Sequence, residues 1–155
     1  MMSRTEVLQQ LKDVLTLSKP QPNLSDQEVP LVFREPHIST GYRVPHKPYS
    51  YYFASLFELH NETVNVWSHI VGFFIFLYKV YDFAGQMDYV NDPLTWPLLA
   101  FSIGTMFYAV LSSLAHLLHS KSERAHYFWF QIDYVGIGMN AMGTGTYLYY
   151  LVGTK

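Results

Sequence analysis

Asp133 is a carboxylate in the middle of a long apolar stretch, where a membrane helix normally carries no charge. A carboxylate at membrane depth costs about 2.5–3.5 kcal/mol on insertion scales, so such a residue usually faces a bundle interior and serves a site. On the preceding apolar stretch, Ser112 and His116 are four residues apart and therefore share one helix face. Together the three residues predict a polar cluster between two neighbouring helices.

A metal site is one chemistry that this cluster allows. A neutral imidazole is a good zinc ligand, and a nearby carboxylate can bind the metal, hold its water or orient the histidine. Catalytic zinc usually takes three protein ligands, and His116 is the strong candidate here. His119 and His126 lie nearer the loop, where a histidine that snorkels to the membrane interface is the alternative to a ligand. For His116 with Asp133, the alternative is a buried hydrogen-bonded pair that only fixes helix packing.

Composition indicates a membrane protein. Of 155 residues, 14% are charged, against about 25% in ordinary globular domains. There is no cysteine, which excludes disulfides and thiolate metal sites. The net charge of −2 comes with no basic stripe, so we expect no nucleic-acid partner. The first residues lack an apolar core followed by a cleavage site, so no signal peptide is predicted.

Hydropathy divides the chain into three regions. Residues 1–30 read as a cytoplasmic tail, with an amphipathic helix over residues 3–18 and a proline-rich linker. Residues 31–63 read as an irregular juxtamembrane region, in which 50–60 form an amphipathic stretch at the membrane interface. Residues 64–152 hold three apolar segments, about 64–83, 94–119 and 126–152, each long enough to span roughly 30 Å of hydrocarbon. The competing interpretation is a soluble α domain, but the second and third segments have no polar face for water.

Two further patterns concern the arrangement of the segments. Gly138, Ala141 and Gly145 form a stripe of small residues that predicts close helix packing. The short links differ in charge, which predicts orientation. The basic residues before the first segment are Arg34, Arg43 and Lys47, and those in the second link are Lys121 and Arg124. The charged residues of the first link are all acidic: Asp82, Asp88 and Asp92. The positive-inside rule then puts the N-terminus and the second link in the cytoplasm.

Several motifs occur in an order that resembles the progestin and adipoQ receptor family. They are PHISTGYR at 36–43, HNETVNVWSH at 60–69, SSLAH at 112–116 and DYVG at 133–136. REP at 34–36, NVW at 65–67 and AHLL at 115–118 look most like the membrane progestin receptor branch of that family. The resemblance covers about residues 28–152, and the ordered set is far more specific than any one motif.

The resemblance implies a seven-helix receptor core with a cytoplasmic N-terminus and a zinc site near the cytoplasmic side. It matches His116 to the zinc ligand on the second helix, Asp133 to the aspartate that contacts the zinc-bound water, and Ser112 to the serine of the same motif. Two further ligands are expected from a His-x-x-x-His on the seventh helix, beyond the end of this chain. We therefore expect an all-α membrane protein, here the first three helices of a seven-helix core, either as a truncated isoform or as an incomplete gene model.

Three functions stay open on this basis. The first is a plasma-membrane steroid receptor that signals to cytoplasmic proteins. The second is a zinc-dependent lipid amidase similar to ceramidases, with Asp133 and Ser112 as candidate catalytic residues. The third is a non-catalytic fragment that forms homo- or hetero-oligomers with full-length relatives. We expect no hydrolysis by this chain alone, because one imidazole and one carboxylate cannot complete a catalytic zinc site.

Overall fold

The computed structural model describes residues 23–88 and 90–153, and most of them are helical. The amphipathic helix predicted for residues 3–18 lies outside the described residues. Four helices follow in chain order: α1 (Tyr49–Ala54), α2 (Thr63–Ala84), α3 (Thr95–Leu118) and α4 (Glu123–Gly153). Two short strands, β1 (Leu24–Ser25) and β2 (Thr40–Tyr42), pair antiparallel ahead of them.

The helical hairpin of α3 and α4 is the core of the fold. A single 3₁₀ turn, His119–Lys121, links the two helices. The Ser122 hydroxyl then accepts a hydrogen bond from the Ala125 N–H at 3.1 Å, which satisfies one of the free N–H groups at a helix start. This cap explains why α4 begins at Glu123, three residues before the apolar segment in the sequence.

Three glycines allow the backbones of α3 and α4 to meet. A Cβ atom on Gly104 would lie 2.6 Å from the Met139 carbonyl oxygen, and one on Gly143 would lie 2.7 Å from the Ala100 carbonyl oxygen. Gly136 is similarly close to Tyr108, with 3.2 Å from its added Cβ to the Tyr108 Cα. The glycines therefore fix the distance between the helices.

The predicted stripe of small residues lies on another face of α4. An added Cβ on Gly138 or Gly145 would meet nothing within 4 Å, and Ala141 is exposed. Within the part of the chain that the structure describes, this stripe therefore makes no close helix contact, and its packing stays a prediction. The helical repeat explains this difference, because the residues that face α3 are offset from the stripe by about half a turn.

Helix α2 packs against α3 along one side and is otherwise open. Val66 is its buried residue, and the Phe76 and Phe101 rings meet edge to face with centroids 5.7 Å apart. Most other apolar side chains of α2 are exposed. Lipid or further protein is the environment that such a surface requires.

The juxtamembrane region is more ordered than its sequence suggests. Val29, Phe33 and Tyr42 form a small buried cluster beneath the β1–β2 pair. The Tyr42 hydroxyl donates to the Ile38 carbonyl oxygen at 2.9 Å and accepts from the Glu35 N–H at 2.8 Å. Residues 23–30, expected to be a linker, therefore belong to a folded unit.

Helix α1 docks this unit onto the hairpin. Tyr51 and Tyr52 are buried against Val66, Leu117 and Leu118. The Tyr52 hydroxyl donates to the Val44 carbonyl oxygen at 2.9 Å. The stretch 50–60, predicted to lie at a membrane interface, thus buries its tyrosines against protein. The juxtamembrane unit consequently sits on the end of the hairpin where α3 and α4 are joined.

Candidate functional site

His116 lies between two carboxylates near the C-terminal end of α3. Its Nδ1 atom is 2.9 Å from Oε2 of Glu62, and its Nε2 atom is 4.0 Å from Oδ2 of Asp133. Two of the three residues that the sequence singled out therefore do come together. The other carboxylate beside the imidazole, Glu62, was not among the predicted site residues.

Ser112 reaches the cluster through a second histidine. Its Oγ atom is 3.1 Å from Nε2 of His69, which lies on α2. The His69 ring in turn stacks nearly parallel on the His116 ring, with centroids 6.3 Å apart and an interplanar angle of 8°. Ser112 is itself buried. The serine hydroxyl therefore ties α2 to α3 next to His116, and the described hydrogen bonds do not join it directly to His116 or Asp133.

Asp133 lacks a full set of hydrogen-bond partners. It is 8% exposed, and its Oδ1 atom is buried without a hydrogen-bond partner in the described part of the chain. A buried carboxylate oxygen without a partner is costly, so it generally marks a place for a water, an ion or a ligand. Asp133 is therefore suited to hold a small polar group next to His116 Nε2.

Glu62 immediately precedes α2 and is buried. Asn65 and Asn61 donate their side-chain amides to its two carboxylate oxygens, at 2.7 and 3.2 Å. Burial raises the pKa of Glu62, but the hydrogen bonds from His116 and Asn65 outweigh burial and hold that pKa well below its usual range. Glu62 is thus a fixed negative charge beside His116.

Arg43 supplies the nearest buried positive charge. Its guanidinium donates to the carbonyl oxygens of Leu117 at 2.6 Å and His116 at 2.8 Å, and to the Ser55 hydroxyl at 3.2 Å. Burial lowers the pKa of Arg43 to about 10, against the opposing pull of Glu62, so the group stays charged at neutral pH. Arg43 therefore caps the free carbonyls at the end of α3 and fixes the backbone of His116.

His119 and His126 form a separate pair at the same end of the hairpin. Their Nδ1 atoms are 3.2 Å apart, and His119 Nε2 is 3.7 Å from Glu62 Oε1. His119 is only 1% exposed, so the interpretation of this residue as a snorkelling interfacial histidine is wrong. The Phe33 ring packs against both imidazoles, which explains the burial, because the sequence could not show that residue 33 would cover the loop.

The described residues fit a zinc ion only in part. Among them, no group of three or more His, Cys, Asp or Glu side chains is arranged to hold a metal. His116 nevertheless shares one feature with a typical ligand histidine, since one ring nitrogen bonds a carboxylate while the other, Nε2, lies 4.0 Å from Asp133 Oδ2. The Oδ1 atom of the same Asp133 carboxylate is buried without a hydrogen-bond partner in the described part of the chain.

Three residues of the site escaped prediction. Glu62 and His69 both belong to the motif at 60–69, and Arg43 closes the motif at 36–43. Glu62, which caps the start of α2, and His69 are seven residues or two helical turns apart, and this spacing puts them on the same side of the helix and could have indicated a shared role. Arg43 gave no such signal, because its partners are backbone carbonyls far along the chain.

The fold and the site together define an all-α membrane protein. Helix α2 and the stretch Thr95–Lys121, which is α3 with its 3₁₀ turn, are each long and apolar enough to cross a membrane. Helix α4 is not among these two helices, and its sequence carries the polar residues Gln131, Asp133 and Asn140. A third span through α4 stays a prediction.

Residues 57–155 match the family model described as haemolysin-III related, and the chain belongs to that family. It is 43% identical over 123 residues to the membrane progestin receptor alpha of Cynoscion nebulosus, and this alignment covers 79% of this chain and 35% of that protein. It is 42% identical over 126 residues to the membrane progestin receptor alpha-B of Danio rerio, and this alignment covers 81% of this chain and 36% of that protein.

A beta-type relative matches equally well. The chain is 42% identical over 130 residues to the membrane progestin receptor beta of Mus musculus, covering 83% of this chain and 36% of that protein. These matches confirm the resemblance to the progestin and adipoQ receptor family that the motifs indicated. The chain spans roughly a third of the length of these curated relatives.

Proposed function

We propose that this chain is part of a membrane receptor for a progestin-type steroid. The observation that carries this proposal is the 42–43% identity, over about four-fifths of the chain, to proteins named membrane progestin receptors. The proposed signal passes to cytoplasmic partner proteins, and we place the receptor in the plasma membrane.

An apolar groove on the surface between α2 and α3 supports an uncharged, rigid ligand. Its volume is about 320 Å³, at the lower end of the ~300–1,000 Å³ range of small-molecule pockets. The residues that line it are all apolar: Phe73, Ile103, Met106, Phe107 and Val110. A steroid ring system has the matching chemistry, because burial of apolar surface is its main source of affinity.

Steroid binding is tested on membranes of cells that produce the complete protein. Saturable binding of radiolabelled progesterone, displaced by unlabelled progesterone and not by cholesterol, is the expected result. Val110→Trp, which fills the groove, should weaken that binding at least tenfold, whereas Phe74→Trp, at an exposed residue of α2 that does not line the groove, should not. Binding no greater than in membranes from untransfected cells would reject the receptor proposal.

A second candidate function is a zinc-dependent lipid amidase, favoured by His116 Nε2 and the unpartnered Oδ1 of Asp133. Zinc, when bound, lowers the pKa of water and polarises an amide carbonyl. In this function His116 would be one ligand, Asp133 would orient a water, and Ser112 would hold His69 beside them. Release of sphingosine from ceramide by the purified complete protein supports this candidate, and its absence in zinc-loaded protein rejects it.

We propose further that the N-terminus and the second link lie in the cytoplasm. Two hydrogen bonds support the same side of the membrane for the juxtamembrane unit and the second link. The Lys121 ammonium donates to the Lys47 carbonyl oxygen, and the His46 N–H donates to the Lys121 carbonyl oxygen, both at 2.8 Å. Lys and Arg thus gather at one end of the hairpin and Asp82, Asp88 and Asp92 at the other. Glycosylation of Asn23 or Asn61 in microsomes would reverse this orientation.

Association with a second membrane protein is the remaining proposal. Gly138 and Gly145 face open space on α4, so this surface is free for another helix in the described part of the chain. Co-purification of tagged and untagged copies tests it. Gly138→Leu with Gly145→Leu should abolish co-purification if the stripe is the contact, and unchanged co-purification would place the contact elsewhere.

A further inference from the structure

We propose that Glu62 is the positioning residue of the site, which holds the His116 imidazole with its proton on Nδ1 and its Nε2 lone pair directed toward Asp133. The contact that carries this inference is the 2.9 Å distance between His116 Nδ1 and Glu62 Oε2. A carboxylate accepts hydrogen bonds and has none to donate, so the nitrogen that faces it must carry the proton. The inference about metal affinity rests on the proposed zinc site, whereas the tautomer does not depend on it.

Glu62 is rigid enough to position another side chain. Its backbone N–H donates to His60 Nδ1 at 3.1 Å, and its carbonyl oxygen accepts from the Val66 N–H at 3.0 Å as the first bond of α2. Its carboxylate is held by the Asn65 amide at 2.7 Å and is buried. Both the main chain and the carboxylate of Glu62 are therefore fixed before His116 is considered.

The His116 ring is confined on its faces as well as at Nδ1. His69 stacks on it, and Phe130 of α4 meets it edge to face with ring centroids 5.8 Å apart. Rotation of the ring by half a turn would remove the Nδ1 hydrogen bond and leave Glu62 with one fewer donor in a buried place. The shorter contact of the ring joins Nδ1 to Glu62 Oε2 at 2.9 Å, and the longer one joins Nε2 to Asp133 Oδ2 at 4.0 Å.

This arrangement has a direct consequence for ligand strength. A carboxylate that accepts a hydrogen bond from one ring nitrogen makes the other nitrogen a stronger metal ligand. Loss of such a carboxylate typically lowers metal affinity about 10–100-fold. Buried Arg43 offsets the negative charge of Glu62, so the carboxylate can stay ionised out of water. The charge of Arg43 thus supports Glu62, and Glu62 in turn holds the His116 ring whose Nε2 faces Asp133.

Two substitutions separate positioning from packing. Glu62→Gln keeps the shape and an oxygen acceptor but removes the charge, and Glu62→Ala removes the acceptor altogether. Glu58→Ala is the matched control, since Glu58 is a carboxylate four residues earlier in the same segment. The tautomer of His116 is read from ¹⁵N shifts of the histidine rings in the 155-residue chain in detergent micelles. Zinc affinity is measured by competition with a chelator in the complete protein.

The wild type, Glu58→Ala and Glu62→Gln should keep the Nδ1–H form, and Glu62→Ala should shift His116 toward the Nε2–H form. Zinc affinity should fall about 10–100-fold in Glu62→Ala and by a smaller factor in Glu62→Gln. An unchanged Nδ1–H form in Glu62→Ala, or an Nε2–H form in the wild type, would overturn the proposal. Should Glu62→Ala fail to fold, equal zinc affinity of Glu62→Gln and wild type would overturn it instead. If wild type takes up no zinc, the zinc proposal fails, and the tautomer alone decides the role of Glu62.

Discussion

Arg43 donates a 2.6 Å hydrogen bond to the carbonyl oxygen of Leu117, a residue 74 positions further along the chain. The same guanidinium also bonds His116 and Ser55, so one buried side chain joins the juxtamembrane unit to the end of α3. The position of His116 therefore depends on a residue that lies outside every membrane segment.

Replacement of Arg43 should destabilise the protein strongly. Arg43→Met removes three hydrogen bonds and leaves two helix-terminal carbonyls buried, which we expect to cost about 2–4 kcal/mol. Arg43→Lys should recover only part of this loss, because an ammonium cannot reproduce the fork of a guanidinium. Thermal unfolding in micelles measures the effect, with Arg124→Met, an exposed arginine, as the control. Equal melting temperatures of Arg43→Met and Arg124→Met would contradict the assignment.

Ser112 should matter more than its neighbour Ser113. Ser112→Ala leaves His69 without its hydroxyl partner and loosens α2 from α3, at a cost of about 1–2 kcal/mol. The Ser113 hydroxyl bonds the Val110 carbonyl oxygen of its own helix, so Ser113→Ala should change stability by less than about 0.5 kcal/mol. Unfolding of the two variants side by side makes the comparison, and it fails if the two are indistinguishable.

The glycines that face α3 should not tolerate a methyl group. Gly104→Ala and Gly143→Ala place a Cβ within 2.6 and 2.7 Å of backbone oxygens, which cannot move without separating the helices. We expect each to lose about 1–3 kcal/mol. Gly138→Ala and Gly145→Ala meet open space, so they should be neutral or gain up to about 1 kcal/mol through helix propensity. Melting temperatures that do not separate the two pairs would show that another face of α4 makes the contact.

Mild acid should weaken the fold through His60. Burial, with help from the charge of Arg43, lowers the pKa of His60 from 6.5 to about 3. Between pH 6.5 and about pH 3, the unfolded chain therefore binds a proton at His60 while the folded chain does not. The free energy of unfolding consequently has its full value above pH 6.5 and falls as the pH decreases below it. Between pH 7 and 5 we expect a loss of about 1–2 kcal/mol, reduced by partial exposure of the ring.

His60→Asn isolates that contribution. An asparagine oxygen can accept the Glu62 N–H in place of His60 Nδ1 but does not titrate in this range. The variant should therefore unfold at nearly the same denaturant concentration at pH 7 and pH 5, whereas the wild type should not. An identical pH slope in both proteins would assign the acid sensitivity to other groups.

Zinc content should separate the roles of the central residues in the complete protein. His116→Ala should lose most of the metal, because it removes a proposed ligand. Asp133→Ala should keep more metal while impairing any hydrolysis, and Ser112→Ala should be intermediate. Metal analysis of purified protein checks the series. If His116→Ala holds as much zinc as the wild type, the polar cluster is a packing device and the receptor proposal stands without a metal.

The sequence alone determined the helical segments and the meeting of His116 with Asp133. Apolar length and periodicity are local properties, and they indicated α2 and α3 as membrane-length helices. The link between α3 and α4 is short, so residues one and two turns from it must lie at similar depth on neighbouring helices. For this reason the distance of 4.0 Å between the imidazole and the carboxylate agrees with the sequence argument.

Only the tertiary structure decided which side chains complete the site. Glu62 meets His116 across 54 residues, Ser112 meets His69 across 43, and Arg43 meets Leu117 across 74. Such pairs depend on how α2 packs against α3 and on where the juxtamembrane unit docks, and neither leaves a periodic signal in the sequence. The glycine face of α4 was decided in the same way, because several faces of a helix can carry small residues and packing selects one of them.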